Sequence, residues 1–409
     1  MFIYHFYLGT LQMKVLYLLN HSYRGKWPPR EELQRVDTLN RRFALKMREY
    51  TDRYETECWK PERMISEPIT VHEDGITYRI FPATKSSFPY KHFSPSMLRA
   101  VQEECRRGAC LLYIHGVHGK WTNLIPLLTE KGPVVFQHHG EVVSYRTKKF
   151  ISKPWRIILA LLERQAAKNV DHFFMLYPEA GEELSRYVAK DRISIQTSGI
   201  DFDLFKPIAQ EDVKNSLKLS RDKRYLLSVG MLENRKGTDV LLHALLPVFS
   251  ACPDVDLLLI GTAVRKEYEA ILHEITRQSG ISERVHFLGQ MRNEDLPLYY
   301  NASDLFILPS IKAEGVPKVL MEAAACNLPY FTSPIGGIPA FLREIGGGML
   351  IEPGSPENIC RALIDFFSHP PEKQDVREKA RKHSWDAILR STVEVFEHLE
   401  KKYYPKTSS

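Results

Sequence analysis

From residue 225 onward, short apolar runs alternate with longer segments of helical periodicity, and the runs read YLLSVG, VDLLLIG, RVHFLG, DLFILP and PYFTS. That alternation predicts parallel strands joined by helices. In the first helical segment Val240, Leu241, Ala244, Leu245, Val248 and Phe249 fall on one stripe, which Pro247 should bend or shorten. The first half repeats the pattern less regularly, with strand candidates KVLYLLN, ITYRIFP, CLLYIHG, PVVFQHHG and HFFMLYP. The predicted fold class is therefore α/β, two doubly wound Rossmann-like domains facing across a cleft into which the carboxyl ends of the strands point. The polar, turn-rich GIDFDLFKPIAQED marks a hinge near residues 200–215. We expect a Rossmann-like domain over 1–204, a second over 205–385, and a helix and tail over 386–409 that return to the first.

Composition narrows the class. The chain has 409 residues, 44% hydrophobic, enough for two cored domains rather than a disordered chain. A formal charge of +6 suits anionic ligands or a membrane surface without calling for nucleic acid. Six cysteines show neither a CxxC pair nor zinc-like spacing, which fits reduced thiols in a cytoplasmic protein. The apolar opening lacks a signal peptide's charged start and cleavage site, so we expect residues 1–12 to be an extension ahead of a first strand, KVLYLLN.

Candidate chemistry lies on loops after strands. KAEGVPKVLMEAAACNLP follows the strand candidate DLFILPS, with Pro317 suited to a first helical turn and Gly315 to close backbone approach. Free amides and the helix dipole there favour an anion. Glu314 and Glu322 are eight positions apart, roughly 12 Å along a helix, too far for a glycosidase pair. They suit a longer ligand, with Glu322 on a ribose diol and Glu314 on the hydroxyls of an attached sugar, unless both merely cap and solvate the helix. SVGMLENRKGTDVLL repeats strand, glycine loop and helix, placing Arg235 and Lys236 where cations would stabilise a departing diphosphate. A solvated basic turn is the plain alternative.

These motifs, with FLGQMRNEDLPLYYNASDLFILPS, TSPIGGIP and SGIDFDLFKP, resemble family-4 glycosyltransferases, retaining nucleotide-sugar enzymes of GT-B fold, most closely over residues 193–385. The resemblance implies transfer of a hexose-type sugar from a UDP-, GDP- or ADP-sugar, bound by the domain over 205–385, to an acceptor hydroxyl, glycan or lipid-linked, bound by the domain over 1–204, with no metal and no other cofactor. It places Glu314 and His139 at the donor sugar, Lys236 and the amides of Gly315 and Val316 at the diphosphate, Glu322 at the ribose, and Leu288 and Gly289 beside the base. Three positions depart from the pattern: Met231 stands where an arginine is usual, Ala340 where a glutamate is usual, and NHSYRGKW lacks a glycine pair. Arg235 is a candidate to replace the lost charge. A catalytically weak or inactive sugar-binding or scaffold subunit is thus the alternative reading.

His115, His118, His138, His139 and Glu141 have metal-ligand chemistry, but no helical pair fixes a geometry, and a sugar cleft also uses histidine. Two basic amphipathic segments complete the picture. RVDTLNRRFALKMREYTDRY has a stripe of Val36, Leu39, Phe43, Met47, Tyr50 and Tyr54, best read as a helix on its own sheet. YRTKKFISKPWRIILALL, with Arg146, Lys148, Lys149, Lys153, Trp155 and Arg156, is a candidate for contact with an anionic membrane or lipid-linked acceptor, peripheral on an inner membrane face.

Overall fold

The computed structural model describes residues 13–19, 39–84, 92–108, 110–116, 121–129, 132–138, 153–312, 315–372 and 374–405. The chain divides into two compact units, one running to Gln196 and resuming at Ile388, the other Thr197–Ala387.

The first unit holds β1 (Met13–Leu18), β2 (Tyr54–Glu62), β3 (Ile69–Glu73), β4 (Ile76–Pro82), β5 (Cys110–Gly116), β6 (Val134–His138), β7 (His172–Met175) and β8 (Ile193–Ile195). Their order in the sheet is β3-β4-β2-β1-β5-β6-β7-β8, and β3–β4 is the antiparallel pair. One face packs Leu16, Trp59, Phe81 and Leu112 against Met97 and Val101 of the helix Pro95–Arg107. That helix starts where its sequence says it should: Ser94 accepts from the Met97 amide at 3.2 Å and Pro95 fills the first position. On the other face Tyr17 and Tyr113 each stack on Phe43 at 5.1 Å. Phe43 and Met47 are buried, so this part of the expected stripe lies on a helix, Leu39–Tyr50, against its own sheet; Val36 lies outside the described residues, and Tyr54 opens β2. The apolar-run reading passes over β2 because YETECWKPE buries Glu57, Lys60 and Glu62 and contains Pro61. Register pairs Leu18, the end of β1, with Trp59, so Pro61 lies past the point where β1 needs a donor. The C-terminal helix Trp385–Tyr403 contributes to this unit from Ile388 on, with Arg53 bonded to Glu397 at 2.5 Å and Glu400 at 2.7 Å, and Lys402 to Asp171 at 2.7 Å.

The second unit is a parallel sheet of β9 (Arg224–Val229), β10 (Val255–Ile260), β11 (Val285–Gly289), β12 (Leu305–Leu308), β13 (Tyr330–Thr332) and β14 (Gly348–Leu350), in the order β11-β10-β9-β12-β13-β14. Period-two alternation sends Leu226, Leu257, Leu259, Leu305 and Ile307 into one layer of helices and Leu227, Leu258, Phe306 and Leu308 into the other. Helix Thr238–Ala251 runs through Pro247 without being shortened. The strand order reverses between β9 and β12, and a parallel sheet offers its binding crevice outside the carboxyl ends at such a reversal. Here those ends lead into the Arg235–Lys236 loop and the loop before Pro317.

Candidate functional site

The two loops are joined directly. After β9 the chain makes a tight turn, Asn234–Lys236, closed by Gly237 in the left-handed region at φ 69°, and enters the helix Thr238–Ala251. A side chain at Gly237 would put Cβ 2.2 Å from the Pro309 carbonyl oxygen, so glycine is required by close approach as well as by φ. The Ile311 amide donates to the Arg235 carbonyl at 2.8 Å. Thus the basic turn after β9 is fixed against the start of the loop after β12.

Lys236 is half-buried in this turn. The Arg235 guanidinium folds back onto Glu233, 2.7 Å from Oε1. Met231 is 52% exposed just after Gly230 and supplies no charge. Across the reversal, the helix Lys318–Ala325 is capped at Pro317, one position outside the first helical turn expected for it, and the Leu320 amide bonds to the Pro317 carbonyl at 3.0 Å. Among the described residues no acceptor pairs with the amides of Gly315 or Val316, and Val316 packs against the layer that contains Leu227 and Phe306. These donors at a helix start form an anion-binding arrangement.

Glu322, 2% exposed, lies inside that helix. Its Oε2 accepts from the Tyr300 hydroxyl at 3.0 Å, and its Oε1 is 3.6 Å from Lys318 Nζ. Burial, then the Glu322 charge, raises the Tyr300 hydroxyl pKa well above its ordinary value; the same causes push the Cys326 thiol up to about 12. A carboxylate has about four acceptor positions, so these contacts leave capacity for a ligand diol.

Leu288 and Gly289 end β11. Leu288 is half-buried against the core, and the Gly289 carbonyl accepts from the Gly261 amide at 2.8 Å. Gly261, after β10, is a position that motif reading passed over. With φ 141° it lies against Gly230, where a Cβ would be 1.8 Å from the Gly230 carbonyl oxygen. Sequence reading also passed over Thr332 and Ser333 at the carboxyl end of β13, both fully buried, with hydroxyls that have no hydrogen-bond partner among the described residues. Their signal was the TSPIGGIP turn, which names the residues without revealing their burial.

Glu314 and His139 lie outside the described residues, as do His118 and Glu141. His115 is buried at the end of β5, bonded through Nε2 to the Tyr17 hydroxyl, and His138 is buried at the end of β6. Among the described residues no three His, Cys, Asp or Glu side chains gather as a metal-binding group. All six cysteines are free thiols.

Residues 209–383 match the family model described as Glycosyl transferases group 1. The chain is similar to that family over somewhat less than half of its length. Over 250 residues the chain is 28% identical to a D-inositol 3-phosphate glycosyltransferase of Corynebacterium diphtheriae, covering 58% of this chain and 58% of that protein. It is 27% identical over 219 residues to an uncharacterized glycosyltransferase of Methanocaldococcus jannaschii, covering 51% and 54%. The chain thus spans little more than half the length of these curated relatives. Among solved structures, a sucrose-phosphate synthase from Thermosynechococcus elongatus superposes with TM-score 0.70 at 18% identity, covering 95% of this chain and 100% of that one. Anabaena HepE in complex with UDP-glucose gives TM-score 0.67 at 16% identity, covering 94% and 100%. The chain has the fold of these proteins, the GT-B class of two doubly wound α/β domains.

Proposed function

We propose that this protein is a glycosyltransferase that moves a hexose-type sugar, with retention, from a nucleoside-diphosphate sugar to a hydroxyl of a glycan or lipid-linked acceptor. The observation that carries the reading is the clip between the Arg235 carbonyl and the Ile311 amide, which sets the Lys236 turn beside the loop leading to Pro317 at the strand reversal, within the stretch that matches the group 1 model. The UDP-glucose bound in HepE supports a nucleotide-sugar donor. In this reading Lys236 and the Gly315 and Val316 amides bind the diphosphate, Glu322 holds the ribose, and Leu288 and Gly289 flank the base. Glu314 contacts the donor sugar, with His139 of the amino-terminal domain as a further contact. Catalysis then rests on holding donor and acceptor together and on stabilising charge that grows on the leaving diphosphate, without need of a metal. The protein would act in the cytoplasm.

A second reading, a sugar-binding subunit with weak or no transfer activity, is favoured by one feature. Met231 brings no charge to the end of β9, and the nearby Arg235 is already held by Glu233. Nucleoside diphosphate release separates the two. With UDP-, GDP- and ADP-glucose and candidate acceptors, acceptor-dependent release that falls about a hundredfold or more in Glu314→Ala is expected, the order of a misplaced reacting sugar. No release from any donor would overturn the enzyme reading.

A further inference from the structure

The helix Lys153–Lys168 presents Ile157, Ile158, Leu161 and Leu162 to solvent, 61, 44, 57 and 39% exposed. At 3.6 residues per turn these positions share an arc of about 140°, one continuous aliphatic face. Single exposed leucines are ordinary on a soluble protein, but four adjacent on one helix mark an interaction surface. The far end of the same helix is anchored. Ala166 is buried, the Arg164 guanidinium lies 4.6 Å from the Tyr187 ring centroid, and the Asn169 amide beyond the helix donates to the Pro126 carbonyl at 3.0 Å.

Charge decides what such a face fits. Residues 142–162 carry Arg146, Lys148, Lys149, Lys153 and Arg156 and no acid, the first being Glu163. Lys153 and Arg156 fall in the first turn of this helix, directly before Ile157, so the aliphatic face begins at a cationic helix end. An anionic lipid surface meets both features, taking aliphatic side chains into the acyl boundary and cations among headgroups. No helix among the described residues is long and apolar enough to cross a membrane, so the contact is one of lying on the bilayer. We propose that the aliphatic face of the helix Lys153–Lys168 docks this protein on an anionic phospholipid surface. The proposal goes beyond sugar transfer and stands whether or not a donor is turned over.

Vesicle sedimentation tests it. The full chain should pellet with an equimolar phosphatidylglycerol and phosphatidylcholine mixture and stay in solution with phosphatidylcholine alone. Ile157→Ser/Leu161→Ser should lower the partition coefficient about tenfold or more, and Lys153→Glu/Arg156→Glu similarly at low salt. Unchanged thermal unfolding of these variants is the folding control. Wild type that stays in solution with the anionic vesicles, or an Ile157→Ser/Leu161→Ser variant that pellets like wild type, would overturn the assignment. A lipid-free dimer that this double variant dissociates would instead give the face to a second copy and overturn it as well.

Discussion

A carboxylate as deeply buried as Glu322 needs its oxygens occupied, and Tyr300 and Lys318 occupy two positions before any ligand arrives. The spacing from Glu314 made Glu322 visible in the sequence. Tyr300, on a helix before β12, was visible only as part of an apolar pattern. Two histidines, His383 buried and His172 half-buried, carry a consequence for pH. His383 bonds through Nδ1 to Thr197 Oγ1 at 2.7 Å, and its pKa is pulled down to about 4 by burial, then by Lys382. His172, bonded to Ser194 at 2.9 Å, falls to about 4 by burial, then by His398. Unfolded histidine titrates at about 6.5, so between about 6.5 and 4 the unfolded chain binds the extra protons. Their contribution is complete above about pH 6.5 and is lost as pH falls to about 4. Urea denaturation across that interval should show stability declining, with a shallower slope in His172→Asn/His383→Asn; identical slopes would remove both groups from the acid response.

At the scale of elements, strand ends set the candidate site through backbone contacts more than through side chains. The Gly261 amide bonds to Gly289, while its missing Cβ lets it lie against Gly230. Gly261→Ala should therefore destabilise the protein by about 2 to 3 kcal/mol, from overpacking against backbone in a strained conformation. A urea midpoint equal to wild type would contradict that. Burial on both faces made β9, β10 and β12 legible, because a parallel strand covered on both sides reads as an unbroken apolar run. β2 was not legible, since Glu57 accepts from the Trp59 indole at 2.7 Å and pairs with Lys14 at 2.9 Å, partners that only folding brings together. Helix starts at Ser94 and Ser355 carried their own signals, each a serine followed by proline.

For the whole molecule, the alternation of strand and helix foretold the α/β class, and motifs quoted from the second half pointed to the family whose model matches residues 209–383. The strand order, which puts β9 beside β12 and brings the Lys236 turn to Ile311, was not in the sequence, because local periodicity contains no information about which strands neighbour one another. That juxtaposition is the central claim, and calorimetric titration of UDP, GDP and ADP tests it most directly. One of them should bind wild type with one site per chain, about tenfold or more weaker to Lys236→Ala and to Glu322→Gln, as expected for losing a charge-assisted hydrogen bond. Binding of none of the three, or equal binding to wild type and both variants, would contradict a donor site at the β9–β12 reversal.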